Sequence, residues 1–246
     1  MRRITRSILA VWTIFALLLL SACASETLFA PQPSARYARG EVLAEVDFSQ
    51  PTDWENYADP ALGVDFRVED DAYRAQIDAR RLPRGDADAY ATGVNAASAR
   101  AGGFMWTLHP AQHSNSLIQV DTLPYSIYRD NAYGVMCRAS PDDNGDGYYF
   151  LISADGQYTI RRGFNREIQP LIEWTASSAI RQDTAPNRLR ALCLGDRLAL
   201  YINGQFVAET RDSLYRQGSA GIVAAVPAGG ELDVQFDQVI IWAASD

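Results

Sequence analysis

The stretch "NRLRALCLGDRLALYINGQFVAET", residues 187–210, reads as three short strands joined by two tight turns. Leu189, Ala191 and Cys193 alternate with other residues, the period of a strand that buries one face. Asn203-Gly204 is a two-residue hairpin signal, because both central residues of such a turn take positive φ. Gly195-Asp196 supplies a second tight turn. A chain that turns back this often, with no helical period, builds antiparallel sheet.

The same pattern extends on both sides. "VLAEVDF" (42–48), "VDFRV" (64–68), "AYRAQID" (72–78), "SLIQVDTL" (116–123) and "AYGVMCRAS" (132–140) are short β-rich runs. So are "GYYFLISA" (147–154), "QYTIRR" (157–162), "AGIVAAV" (220–226) and "LDVQFDQVIIW" (232–242). Many short strands at close spacing predict an all-β, two-sheet antiparallel sandwich over residues 41–246.

The N-terminal end differs. Arg2, Arg3 and Arg6 precede an uncharged apolar run, Ile8 to Leu20, and then Leu20-Ser21-Ala22-Cys23. A basic start, a short apolar core and small residues before a cut site make an export signal over residues 1–22. "LSAC" resembles the lipobox of bacterial lipoproteins, which implies lipid on Cys23 and anchorage to the outer face of a bacterial membrane. Residues 23–40, with Pro31, Pro33, Ser34 and Gly40, read as the lipidated Cys and a tether.

Composition narrows the chemistry. The formal charge is −8, and loss of Arg2, Arg3 and Arg6 would leave about −11. Such a chain should not seek nucleic acid through long-range attraction. All 22 basic residues are Arg, so Lys Schiff-base chemistry is excluded. There is no Gly-x-Ser-x-Gly elbow, phosphate loop or dinucleotide fingerprint. Cys137 and Cys193 lie on apolar strand faces, with Val135 and Ala139 in one run and Leu189 and Ala191 in the other. In an exported protein they should form a disulfide.

From "NAYGVMCRASPDDNGDGYYFLISADGQYTIRR" through "IEWTASSAI", "NRLRALCLGDRLALYINGQFVAE", "GSAGIVAAV" and "VQFDQVIIW", the chain resembles concanavalin A-like lectin/glucanase jelly rolls. The likeness is to lamin-G-like and keto-disaccharide-hydrolase-like members. It implies two curved sheets and no single activity, since the fold hosts lectins, hydrolases and spacers. Glucanases of this superfamily carry Glu-x-Asp-x-Glu, or the same with one more residue, on one strand. Here Glu231, Asp233, Gln235 and Asp237 share a face, but Gln235 replaces the second acid. An amide cannot donate and reclaim a proton as a carboxyl does, so catalysis is not expected there.

Three further groups invite a role. His109 and His113 in "LHPAQH" are interrupted by Pro110 and read as a solvated loop. Asp142, Asn144 and Asp146 occupy positions 1, 3 and 5 of a calcium-type loop, but Ser153 stands at position 12 where a bidentate acid is needed. The segment reads as a hairpin connection that would hold calcium weakly, and no other cofactor is expected. Gln119, Asp121, Arg138, Tyr149, Arg190 and Tyr201 lie opposite the apolar sets; aligned on one exposed sheet, they would suit a glycan. Phe150, Tyr158 and Trp174 read as core.

The best-fitting reading is a lipid-anchored, carbohydrate-binding, non-catalytic module. The alternatives are a glycan-acting hydrolase with an unrecognised site, and a structural or protein-interaction domain. Cys23→Ser should leave uncleaved precursor or release soluble protein, as membrane fractionation and intact mass will show; unchanged processing and retention would refute the lipobox.

Overall fold

The computed structural model describes residues 31–246 except 53, 55, 82–96, 100–101, 143–144, 166 and 228; Cys23 and Asn144 lie outside the described residues. In chain order the strands are β1 (Ala38–Val46), β2 (Tyr57–Asp59), β3 (Val64–Glu69), β4 (Ala72–Asp78), β5 (Ala97–Ala99), β6 (Gly102–His113), β7 (Ser116–Pro124) and β8 (Ala132–Ala139). There follow β9 (Gly147–Ser153), β10 (Gln157–Phe164), β11 (Glu167–Ala176), β12 (Asn187–Leu194), β13 (Arg197–Ile202), β14 (Gln205–Arg211), β15 (Gly218–Pro227) and β16 (Glu231–Ser245).

They form two antiparallel sheets. A nine-stranded sheet runs β14-β13-β12-β7-β16-β4-β3-β2, with β1 also paired to β16. A seven-stranded sheet runs β11-β10-β9-β8-β15-β6-β5. The long strand β16 lies beside β4 over its first half and beside β1 over its second, with β7 on its other side. The fold is the expected two-sheet β-sandwich of the jelly-roll type.

The alternation at residues 187–210 does what its period predicts. Leu189, Ala191 and Cys193 of β12, with Leu198, Leu200 and Ile202 of β13, enter the core between the sheets. Trp54, Phe66, Tyr73, Tyr148, Phe150 and Phe236 are among its aromatic rings. Asn203 (φ 51°) and Gly204 (φ 83°) make the left-handed pair that closes the β13–β14 hairpin.

The seven-stranded sheet departs from simple alternation. Every residue of β8 and β9 is buried. A second apolar cluster of Phe104, Trp106, Met136, Tyr149, Leu151 and Val223 covers the face turned away from the main core. Near-continuous apolar runs such as "GYYFLIS" are the signature of strands buried on both faces.

The Cys137–Cys193 disulfide is present and ties β8 to β12 across the sheets, with Cα atoms 6.7 Å apart. Arg138 follows in a left-handed conformation (φ 52°) with its side chain buried. Its guanidinium donates to the carbonyls of Ser114 (2.8 Å), Gly195 (2.8 Å) and Tyr215 (3.0 Å), and to Asn115 Oδ1 (3.3 Å). One side chain thus fastens the β6–β7 turn, the β12–β13 turn and the β14–β15 connection.

Three expectations need correction. The pair His109 and His113 is in β6, not a loop; a bulge against Ser219–Gly221 accommodates Pro110, which has no N–H to offer a ladder. Trp174 is 37 % exposed, with the Arg161 guanidinium 5.9 Å from its ring centre, whereas Phe150 and Tyr158 are buried. The chain also joins the sheet at Ala38, inside the expected tether, and Arg197 holds the carbonyls of Ala35 and Arg36. Replacing Arg138→Met should cost about 3 kcal/mol in denaturant unfolding, since several buried carbonyls would lose their donor. A loss under about 0.5 kcal/mol would contradict the clasp.

Candidate functional site

Strand alternation sends one residue set of the nine-stranded sheet inward and the other outward. Tyr73, Ala75 and Ile77 of β4 and Leu232, Val234 and Phe236 of β16 are core. Arg74, Gln76, Asp78, Glu231, Asp233 and Gln235 are therefore on the outer face. They pair across the strands. Arg74 grips Asp233 in bidentate fashion, Nε to Oδ1 and Nη2 to Oδ2, each at 2.8 Å. Gln76 Nε2 donates to Asp233 Oδ2 at 3.0 Å, and Arg80 bridges Asp78 and Glu231.

The segment after β7 closes over this end. Backbone N–H groups of Tyr125 and Ser126 donate to the Asp233 carbonyl at 2.8 and 3.3 Å. Buried Asn131 ties the segment down, donating from Nδ2 to Ser126 Oγ, the Tyr128 carbonyl and the Glu231 carbonyl. The Tyr125 hydroxyl donates to Gln235 Oε1 at 2.6 Å while Arg74 lies 5.5 Å from its ring centre. Tyr125 is 48 % exposed and Ile127 87 %. Together they border a cleft of about 570 Å³ whose polar lining includes Asp65, Gln76, Asp78, Arg80, Glu231 and Asp233. The apolar-plus-planar-polar mixture suits a polyhydroxylated ligand.

The charges here are held. Burial raises the Asp233 pKa, but hydrogen bonds from Arg74 and Gln76, with the Arg74 charge, outweigh it and keep the carboxyl below its ordinary range. Asp237 goes the other way. Burial, and the nearby Asp121 and Asp47 carboxylates, raise its pKa against the hydrogen bond from the Gln238 N–H. Asp237 sits at a bulge where Gln238 takes φ 50°.

The six residues proposed for a glycan surface divide. Gln119, Asp121, Arg190 and Tyr201 come together on β7, β12 and β13, with Arg190 paired to Gln119 on one side and Tyr201 on the other. But Gln119 is buried and Tyr201 packs against Tyr37 and Phe206, so Asp121 and Arg190 are the accessible members. Arg138 and Tyr149 do not join them. Both are buried in the seven-stranded sheet, Arg138 as the clasp described above and Tyr149 packed on Phe104 and Trp106. In the acidic loop, the Asp142 N–H donates to Ser140 Oγ, and Asp146 Oδ1 accepts from the Asn165 N–H at 3.0 Å. The glucanase-like run is occupied by ion pairs: Asp233 serves Arg74, and Glu231 serves Arg80. Sequence reasoning missed Arg74, Gln76 and Tyr125. The alternation of "AYRAQID" marks the first two as outward-facing; nothing local marks their partner 159 and 157 residues away.

No protein-family model matches the chain, and no curated protein is significantly similar to it. Solved structures do resemble it. The carbohydrate-binding module CBM66 of Bacillus subtilis is 18 % identical with a TM-score of 0.50, over 62 % of this chain and 96 % of that one. A galectin-like-fold protein of unknown function from Bacillus subtilis is 13 % identical, TM-score 0.56, over 85 % and 99 %. A β-glucanase of Bacillus licheniformis is 9 % identical, TM-score 0.53, over 83 % and 98 %. At these identities the likeness establishes the jelly-roll fold.

The Asp237 shift has a measurable sign. A carboxyl with a raised folded pKa destabilises the native state above that pKa and is neutral to stability below its unfolded pKa. Asp237→Asn should therefore stabilise the protein at pH 7, keep the Gln238 hydrogen bond, and lose its advantage near pH 3. Thermal unfolding at the two pH values checks this.

Proposed function

We propose that the chain is a lipid-anchored, extracytoplasmic, lectin-like module that binds carbohydrate without turning it over. The observation that carries this reading is the outer face of the nine-stranded sheet. There a half-exposed tyrosine, an exposed isoleucine and a set of paired planar side chains border one open cleft. Sugars present apolar ring faces and many hydroxyls, and need an aromatic or apolar platform beside fixed donors and acceptors. Arg74, Gln76, Arg80 and their acids are already locked together, so little ordering entropy remains to be lost on binding. Similarity of fold to a carbohydrate-binding module supports the same reading.

The absence of turnover rests on the residues. Gln235 offers no proton, and Asp233 is held ionised by a bidentate arginine, the wrong state for a general acid. Cys23 would supply the anchor, which is stable when that residue carries more than one lipid chain.

Affinity electrophoresis of the full chain in detergent, through gels containing single neutral polysaccharides, tests the function. At least one should retard it, and Tyr125→Ala should weaken that retardation about tenfold, or about 1.4 kcal/mol. Free migration through every glycan would overturn the proposal, and release of sugar on prolonged incubation would point to a hydrolase instead.

A further inference from the structure

A second cleft of about 410 Å³ opens on the same sheet, lined by Asp121, Arg181, Asn187, Arg188, Arg190 and Asn203 among others. Three arginines and one aspartate is an unusual lining for a chain whose acids outnumber its bases, 30 to 22. The single acid is already committed. Arg188 holds Asp121 through Nε to Oδ1 at 2.6 Å and Nη2 to Oδ2 at 2.5 Å. The other two arginines make only neutral contacts of this kind. Arg190 Nε donates to Gln119 Oε1 at 2.7 Å, and Arg181 Nη1 donates to the Pro186 carbonyl at 3.3 Å. Among the described residues neither has a carboxylate partner.

The cleft is also built rather than incidental. Buried Asn187 takes the Arg181 N–H on its Oδ1 at 2.9 Å and donates from Nδ2 to the Arg181 and Ala185 carbonyls. Asn203, in its left-handed turn, donates to Asn187 Oδ1 and the Ala179 carbonyl and accepts the Arg188 N–H. The backbone that carries Arg181 and Arg188 is thereby fixed. Arg190 stands on a central strand of the sheet. Guanidinium groups offer donors in a planar fork that matches a carboxylate or sulfate, and stay charged at any physiological pH.

We propose that this cleft is an oxyanion subsite that takes the carboxylate or sulfate of an acidic sugar, a reading that rests on the glycan-binding function proposed above. Arg190 and Arg181 are the recognising residues; Arg188 with Asp121 forms the wall. Arg190 is paired with Gln119, six residues before Tyr125 along β7 and its exit, about 20 Å at strand rise. An oligosaccharide lying along β7 can therefore set a ring at Tyr125 and its acid at Arg190.

The test uses the full chain in detergent and affinity electrophoresis in matched pairs: polygalacturonate against its full methyl ester, and dextran sulfate against dextran. One charged polymer should retard the protein at least tenfold more than its neutral partner. Whichever pair responds identifies the anion as carboxylate or sulfate. Added salt should weaken the effect, and Arg190→Gln should remove it while leaving retardation by a neutral glycan unchanged. Arg181→Gln gives a second reading at an exposed position should Arg190→Gln fold poorly. The protein is net acidic, so general attraction cannot mimic the result. Equal retardation by both members of each pair, indifferent to Arg190→Gln, would refute the subsite and leave glycan binding standing. Competition by inorganic sulfate with no polymer retained would refute the sugar part. No retardation by any polymer would remove this proposal and the broader function together.

Discussion

The two residues Cys137 and Arg138 form the constraint on which the sandwich depends. The first is bonded to Cys193 across the core; the second reaches three turn carbonyls from a buried position. A sandwich core gains stability from area, which is indifferent to register. A cross-link and a directional clasp are not indifferent: they fix which part of β8 faces which part of β12. The cross-link spans 56 residues, and in the chain-entropy picture such a closure is worth about 4 kcal/mol. Arg138 is costly to bury and has no acid among its hydrogen-bond partners. Carbonyl oxygens at converging turns are what offset that cost, and the left-handed backbone at Arg138 aims the side chain at them.

With the two sheets fixed in this way, their outward faces take different characters. That of the seven-stranded sheet is apolar and aromatic around Trp106 and Tyr149. That of the nine-stranded sheet is charged along β4, β16, β7 and the start of β12, turning apolar only near Leu117, Leu192 and Trp242. The charged part is not loosely solvated. Arg74 with Asp233 and Arg188 with Asp121 hold both oxygens of their partners, which fixes side-chain positions more than it adds stability at such exposure. Rigid polar groups beside open clefts are a means of recognition.

Much of the fold is legible in short stretches of sequence. Alternation and the Asn203-Gly204 turn define the β12–β14 meander, and matched apolar faces on two strands mark the cysteines that form the disulfide. The site is legible only in part. Alternation says that Arg138 and Tyr149 lie opposite Cys137 and Phe150; it does not say that this opposite face is also covered. Alternation places Gln119, Asp121, Arg190 and Tyr201 on one face, but it does not reveal that Gln119 is buried there or that Tyr201 packs against Tyr37 and Phe206. The state of Asp233 was not legible, because its partner Arg74 is set by how β4 and β16 meet, a long-range pairing with no local mark.

Strand β16 also fixes a direction. Its last residues lie beside Ala38, where the chain enters the sheet, and its first residues, Glu231 to Asp233, line the larger cleft. Twelve to fourteen residues of strand separate the two, about 40 to 45 Å at strand rise. The point of entry and the cleft are therefore at opposite poles of the sandwich. A polymer bound in the cleft can thus run past that end of the sheet without meeting the edge where the chain enters.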